Sequence, residues 1–444
     1  MWDGHYYHFG ATRIANGLGY SEDVLIDGTL VWKPWCHYPV GYSGFLGVIY
    51  KAFGSSIVVA PLANAIIGAL TVVLIHRLAR HMLGPWRSRA AGVLCALHPG
   101  LILYTSVVMT EGLAAFTVAL AGWLAFTWNQ SRRGAVVSGM ALGLAALVRP
   151  TALLALPLLG FVFRGSWRRR AFAVGLASLM ALVTLAPWTL RNCRVMDGCA
   201  LISTNGGWNL AIGALTETGR FTALRAEDGC RLVTGQVQQD RCWGAVGRQR
   251  IAEDPLHWLS LMPDKLAHTY NHESFAVGYL AEADPTRWPE ARKNAWRSAL
   301  TVFHHLLMLA ATLSTVAWCW PNRLRRDGCE AEPSMGFRAC AVQTGLLALI
   351  VGFVAYGLNE HDYPLYWLIV LAPLVPLLRL PGAPSQGPLG SWLLGLLAMT
   401  SLTHAIFFGD DRYHITISPM LCILAAAALR RPAREDIVAR EATA

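Results

Sequence analysis

Residues 90–128 read AAGVLCALHPGLILYTSVVMTEGLAAFTVALAGWLAFTW, and Glu111 is the one charged side chain among them. As a single helix rising 1.5 Å per residue, the stretch would run about 58 Å, nearly twice the ~30 Å hydrocarbon core of a bilayer. Two membrane passes joined by a tight reversal fit better, and Glu111 then falls near the reversal, just after Thr110. An acid facing lipid there would cost roughly 2.5 kcal/mol or more. Glu111 is therefore expected to face water or a protein-lined cavity, a position suited to an active-site acid.

The rest of the chain agrees with a multi-pass membrane protein. Hydrophobic residues make up 54% and charged residues 14%, where a soluble chain carries about 25% charged; mean hydropathy is +0.40. A net charge of +10 would point to nucleic acid in a soluble protein, but topology accounts for it and no nucleic-acid partner is expected. The lysines Lys33, Lys51, Lys265 and Lys293 fall in segments assigned outside, and most arginines bracket apolar runs. The chain opens on the polar stretch MWDGHYYHFGATR, without the pattern of a signal or transit peptide.

The expected fold is an all-α polytopic membrane protein. Apolar runs suited to passes lie near 57–79, 89–109, 111–128, 134–148, 150–163, 170–188, 298–320, 337–357, 363–379, 388–408 and 412–430. The runs at 134–148 and 150–163 are short and read as tilted or partly re-entrant. One side collects Arg77, Arg80, Arg87 and Arg89, then Arg132 and Arg133, Arg164, Arg168, Arg169 and Arg170, Arg323, Arg325 and Arg326 with Arg338, Arg379, and Arg430, Arg431, Arg434 and Arg440. By the positive-inside rule that side is the cytoplasm. The other side receives an outer segment at 1–56, the turns at Glu111 and Arg149, a long loop from about 189 to 297, and the turns GLNEHDYP and FGDDRYH. About eleven passes put the N-terminus outside and a tail at 431–444 inside, with one transmembrane domain over 1–430. An outer N-terminus with no preceding anchor points to a first helix lost through a misplaced start or truncation, which would restore about twelve passes.

Ten cysteines divide by compartment. Cys95 and Cys422 fall mid-membrane and read as small buried hydrophobes; Cys319, Cys329 and Cys340 fall on or near the inside and read as thiols. Outside are Cys36, Cys193, Cys199, Cys230 and Cys242. In an oxidising space Cys193–Cys199 and Cys230–Cys242 are candidate disulfides. No cysteine spacing resembles a zinc site.

The outer segments hold the polar residues that orientation does not explain. Asp3 begins a stretch with aromatic or apolar residues at Tyr6, Tyr7, Phe9, Ile14 and Leu18, read as a helix on the outer surface and broken by Gly17 and Gly19. A second piece runs extended through His37-Tyr38-Pro39 and enters a helix near Gly41. Arg149, the Arg191-Asn192 pair, Asn205 with Asn209, Glu360-His361-Asp362-Tyr363 and Asp410-Asp411-Arg412-Tyr413-His414 lie on the same side. Each alone reads as loop solvation or helix capping. Together they set acids suited to proton abstraction beside arginines suited to phosphate.

These motifs are the ground of a resemblance. Asp3 with Tyr7 and GLGYS, YPVGYSGFLGVIYKAFG, HPGLILYTSVVMTEGL, LVRPTALLALP, PWTLRNCRVMDGCALISTNGGWNLAIGA and RYHITISP resemble the GT-C membrane glycosyltransferases. The similarity is to bacterial relatives of dolichyl-phosphate-mannose–protein mannosyltransferases and of the lipid A aminoarabinose transferase, and it runs from Asp3 to about Pro419. It implies inverting transfer of a sugar from a polyprenyl-phosphate donor to a protein, lipid or glycan acceptor at the extracytoplasmic face of a bacterial inner membrane. It also implies Asp3 as the base, Glu111 as a second active-site acid, Arg149 and Arg412 with Tyr413 on the donor phosphate, and His37 with Tyr38 where some members place metal or phosphate ligands. His37 stands where the family carries an acidic or basic ligand, so a divalent metal ion stays open, as do its ligands. Pro39-Val40 replaces the two prolines common in the family.

Two other readings share the multi-pass pattern. A transporter or lipid flippase would show repeated halves and broken polar helices near the midplane; no matching halves are visible, and the polar residues gather at one face. A catalytically inactive scaffold of the cell envelope is the third.

Overall fold

The computed structural model describes residues 2–56, 58–230, 235–319 and 387–429, with three isolated helical positions at 345, 348 and 352. The passes expected near 337–357 and 363–379, the GLNEHDYP turn and the tail at 431–444 lie outside the described residues.

The chain is mostly helical. Helix α1 (Trp2–Ala15) is followed by an exception to the all-α expectation, the one among the described residues: a hairpin of β1 (Ser21–Ile26) and β2 (Thr29–Pro34). Its strands pair antiparallel, with Ile26 opposite Thr29, around Asp27-Gly28. Both turn residues take positive φ, 49° and 78°, the two-residue turn whose twist matches its strands. The Asp-Gly pair between the runs SEDVLI and TLVWKP was the sequence signal for it.

The apolar runs become α2 (Gly41–Phe53), α3 (Val59–Ala79), α4 (Pro85–Ala96), α5 (Pro99–Tyr104), α6 (Glu111–Thr127), α7 (Arg132–Val148), α8 (Leu159–Val162) and α9 (Trp167–Val195). The run at 89–109 is not one rod. Pro99 lacks the N–H that would continue α4, and His98 caps α5 by accepting from the Leu101 backbone N–H at 3.3 Å. The run at 150–163 is a 3-10 turn over Pro150–Ala155 and then the single turn α8; it is no full pass, in keeping with its shortness.

Among the described residues three helices are long and apolar enough to cross a membrane: α3, α9 and α16 (Gly387–Ile406). The α3 row Leu62, Ile66, Leu70 and Val73 is exposed, at the spacing of one helical face. The row Val302, Leu306, Leu309 and Leu313 on α15 (Glu290–Cys319) is exposed likewise. Such stripes suit contact with lipid.

Small residues hold the bundle together. Gly139 and Gly143 on α7 face Ala177 and Ala181 on α9; a Cβ at Gly139 would lie 2.2 Å from the Ala177 carbonyl oxygen. This is the close approach that small residues spaced by four allow between membrane helices. Gly122 on α6 admits the Trp392 ring of α16 in the same way. The short helix α17 (Ser418–Ala427) is buried between α15 and α4.

The long segment between α9 and α15 folds into α10 (Gly206–Leu215), α11 (Gln236–Glu253), α12 (Pro255–Ser260), α13 (Met262–Tyr270) and α14 (Phe275–Ala283); of the surface helices expected around Pro255–His272, α12 lies on the surface, whereas α13 buries Lys265, Ala267, Thr269 and Tyr270. Both expected disulfides are formed, Cys193–Cys199 and Cys230–Cys242. Cys36, Cys95 and Cys422 are buried thiols.

Candidate active site

Helix α1 carries Asp3 in its first turn. Tyr7 and Ala11 seat it on Tyr42 and Leu46 of α2, and a Cβ at Gly47 would press within 2.8 Å of Ile14. Of its aromatic residues Tyr7 is buried, while Tyr6 and Phe9 are exposed. Gly41, at the start of α2, lies against the Leu147 backbone at the end of α7, where a Cβ would stand 2.5 Å from the carbonyl carbon. That contact brings the end of α7, and with it Arg149, against the segment that carries His37 and Tyr38.

Two acid–arginine pairs meet at this end. Asp3 forms an ion pair with Arg412 and accepts a 2.8 Å hydrogen bond from the Tyr38 hydroxyl. Glu111, the first residue of α6, pairs with Arg149, whose Nε also donates to the Thr110 hydroxyl at 3.1 Å. Tyr413 links the pairs: the Arg149 guanidinium sits 5.5 Å and the Arg412 guanidinium 5.1 Å from its ring centre. Phe275 of α14 takes the other approach to Arg412, at 5.0 Å. Asp3, Tyr38, Glu111, Arg149, Arg412 and Tyr413 are thus one cluster, in which the paired Asp3 and Arg412 stand 409 positions apart.

Glu111 is fully buried, and its Oε2 has no hydrogen-bond partner among the described residues. Burial raises the Asp3 carboxyl, but the charge and hydrogen bond of Arg412, with the Tyr38 bond, outweigh it and hold the group below the usual carboxylate value. Asp410 is pushed up to about 6 by burial against the pull of Arg412, 3.4 Å from its Nε. Asp411 accepts from the backbone N–H groups of Ser274 and Phe275, fastening the RY turn to α14.

His37 stands beside this group. Its ring packs 5.0 Å from Tyr38 and 5.5 Å from Trp208, centre to centre, and burial drives it down to about 4. It joins no set of three ligating side chains among the described residues. Arg191 is structural: it donates to the carbonyls of Trp35 and Tyr20 at 3.0 and 2.6 Å and lies over Trp188, tying the hairpin to α9. Asn192 likewise donates to the Ala200 and Ile202 carbonyls. Glu360–Tyr363 lie outside the described residues.

A groove of about 810 Å³ opens next to the cluster, lined by Gly4, His5, His8 and Phe9 of α1, Tyr50, Val108, and Tyr279 and Glu282 of α14. Gly4 lets the Tyr279 hydroxyl close on α1: a Cβ there would stand 1.8 Å from that oxygen and 3.0 Å from the Val108 carbonyl oxygen.

Among the described residues the cluster of ligating groups that does form is Glu273, His304 and His414, fully or almost fully buried, their ligating atoms within 4.8 Å of one another. Its members come from three distant segments, and no sequence spacing announces them.

Residues 37–190 match the family described as dolichyl-phosphate-mannose-protein mannosyltransferase, so the resemblance carried by the motifs is borne out over that stretch. Solved structures with a similar chain path include an Archaeoglobus fulgidus oligosaccharyltransferase tethered with an acceptor peptide containing the NVT sequon, at 13% identity, covering 96% of this chain and 45% of that one, TM-score 0.45. ArnT from Cupriavidus metallidurans in the apo state is 15% identical, covering 99% of this chain and 74% of that one, TM-score 0.34. The chain thus spans under half the length of the archaeal protein. No curated protein matches it.

Proposed function

We propose that this chain, matched over residues 37–190 to the dolichyl-phosphate-mannose-protein mannosyltransferases, is an inverting glycosyltransferase. It would move a hexosyl or pentosyl group from a polyprenyl-phosphate donor to a hydroxyl of a protein, lipid or glycan acceptor. The site would lie on the extracytoplasmic face of a bacterial inner membrane, on a scaffold of about eleven passes within residues 1–430.

The observation that carries the reading is the meeting of two acid–arginine pairs around Tyr413. Asp3 takes the acceptor hydroxyl proton as the acceptor oxygen attacks the anomeric carbon. The bond from that carbon to the phosphate oxygen breaks on the opposite face, and its electrons leave with the polyprenyl phosphate. Arg149 and Arg412 meet the charge that builds there, preorganised donors being worth most in a site shielded from water. Because the leaving group departs as an anion held by cations, no general acid is required.

In the resting pair Asp3 is a weak base, since Arg412 stabilises its charge. A phosphate that draws Arg412 toward itself raises the basicity of Asp3, which couples donor binding to proton abstraction. Glu111 orients Arg149. The groove along α1 suits the approach of a substrate to Asp3, and the two cystines suit an oxidising compartment.

The test is transfer from a labelled polyprenyl-phosphate sugar in membrane vesicles. Asp3→Asn should lower the rate by about 100-fold or more, and Glu111→Gln should lower it while weakening donor binding. Rates near wild type in both variants would reject the assignment.

A further inference from the structure

The hydrogen bonds around the buried Glu273, His304 and His414 fix where their lone pairs point. His304 Nε2 lies 2.9 Å from the Tyr270 carbonyl and His414 Nδ1 lies 2.7 Å from the Thr269 carbonyl. A carbonyl oxygen only accepts, so both of those nitrogens carry hydrogen. In the neutral rings the opposite nitrogens, Nδ1 of His304 and Nε2 of His414, are then bare lone pairs. They share one buried space with the Glu273 carboxylate, whose Oε2 lies 3.2 Å from His414 Nε2.

Three electron-rich atoms therefore face one another. His304 Nδ1 and Glu273 Oε1 are buried with no hydrogen-bond partner among the described residues. A carbonyl tied to the far nitrogen of each imidazole is also the support that metal-bound histidines receive, because it sets the tautomer and the ring direction.

We propose that Glu273, His304 and His414 bind a divalent transition-metal ion of the zinc class. Two imidazole nitrogens and a carboxylate are a donor set that such an ion prefers over calcium or magnesium. The carboxylate's unpartnered second oxygen leaves it able to fill a further position. The ion ties together the loop after α13, the middle of α15 and the turn before α17. His414 lies two residues past Arg412, so the metal is a positioning device for the RY turn. The competing arrangement is an imidazolium–carboxylate pair of His414 and Glu273, which satisfies one contact and leaves His304 Nδ1 and Glu273 Oε1 unmet.

The full chain purified in detergent without chelator should hold about one equivalent of zinc-class metal by elemental analysis. After chelator treatment, cobalt(II) should restore visible d–d bands at about one equivalent and raise the melting temperature of the wild type. Glu273→Gln and His304→Gln should each lose most of the metal and the bands, while His5→Gln, on the exposed face of α1, keeps both. Wild-type protein that holds no metal, shows no cobalt bands and melts alike with and without the ion would overturn the site in favour of the ion pair. So would metal retained in full by both variants. Should either variant fail to elute as a monodisperse species, the wild-type cobalt spectrum and melting shift decide alone. None of these readouts depends on sugar transfer, so the site and the proposed reaction can fail separately.

Discussion

A charge in an apolar stretch has to be explained, and at the scale of single residues that made half of the candidate site readable. Glu111, Arg149 and Arg412 stood out because orientation did not account for them and because they gather on one face, and the structure joins them with Asp3. Asp410 belonged to a quoted motif, but its place against Arg412 depends on folding. Glu273 and His304 carried no signal, since an isolated Glu or a His on an apolar helix usually reads as ordinary packing. His37 makes a prediction at this scale. Burial holds its ring near 4, against about 6.5 when unfolded. A neutral buried histidine of this kind contributes stability that is full above pH 6.5 and is lost as pH falls toward 4, where the folded form also protonates. The gap in melting temperature between wild type and His37→Gln should therefore shrink across that window. A gap that is constant from pH 7 to 4 would show that His37 is not held neutral by the fold.

Element by element, the expected runs became helices where length and hydropathy were both sufficient, as in α3 and α9. They failed where a local backbone rule overrode hydropathy: Pro99 divides α4 from α5, and Pro150 opens a 3-10 turn in place of a pass. The all-α expectation has no place for the hairpin, although Asp27-Gly28 stands between two runs of strand-forming residues. Glycine spacing, in contrast, decides how α7 meets α9. Gly139→Ala forces a Cβ against the Ala177 carbonyl and should cost about 1–3 kcal/mol, the usual range for overpacking a tight contact. Gly175, on α9 with open space around its Cβ position, is the control. Gly175→Ala should leave stability unchanged or raise it by up to about 1 kcal/mol, by removing a flexible residue from a helix. Thermal unfolding in one detergent compares the two; equal effects would mean that the α7–α9 approach is not limited by side-chain volume.

For the whole molecule, antiparallel helices sort the charges to opposite ends. The start of α6 and the end of α7 bring Glu111 and Arg149 to the same end as Asp3 and Arg412. The reverse ends carry Trp128, Arg132 and the arginines that open α9, and there the Arg164 backbone N–H bonds the Asn129 carbonyl at 3.1 Å while Arg132 lies over Phe172. A segregation of this kind is what the positive-inside rule reads as orientation. It predicts that the arginine end faces the cytoplasm and the acid–arginine cluster faces out. Two exposed positions test it: Ser166, between α8 and α9, and Ala223, after α10. In a background with Cys319, Cys329 and Cys340 changed to Ser, Ala223→Cys should react with a membrane-impermeant maleimide in intact spheroplasts. Ser166→Cys should react only once the membrane is opened. The opposite pattern would turn the protein over and place the cluster in the cytoplasm. There a polyprenyl-phosphate sugar would have to be met on its side of synthesis, and two cystines would have to survive a reducing solution.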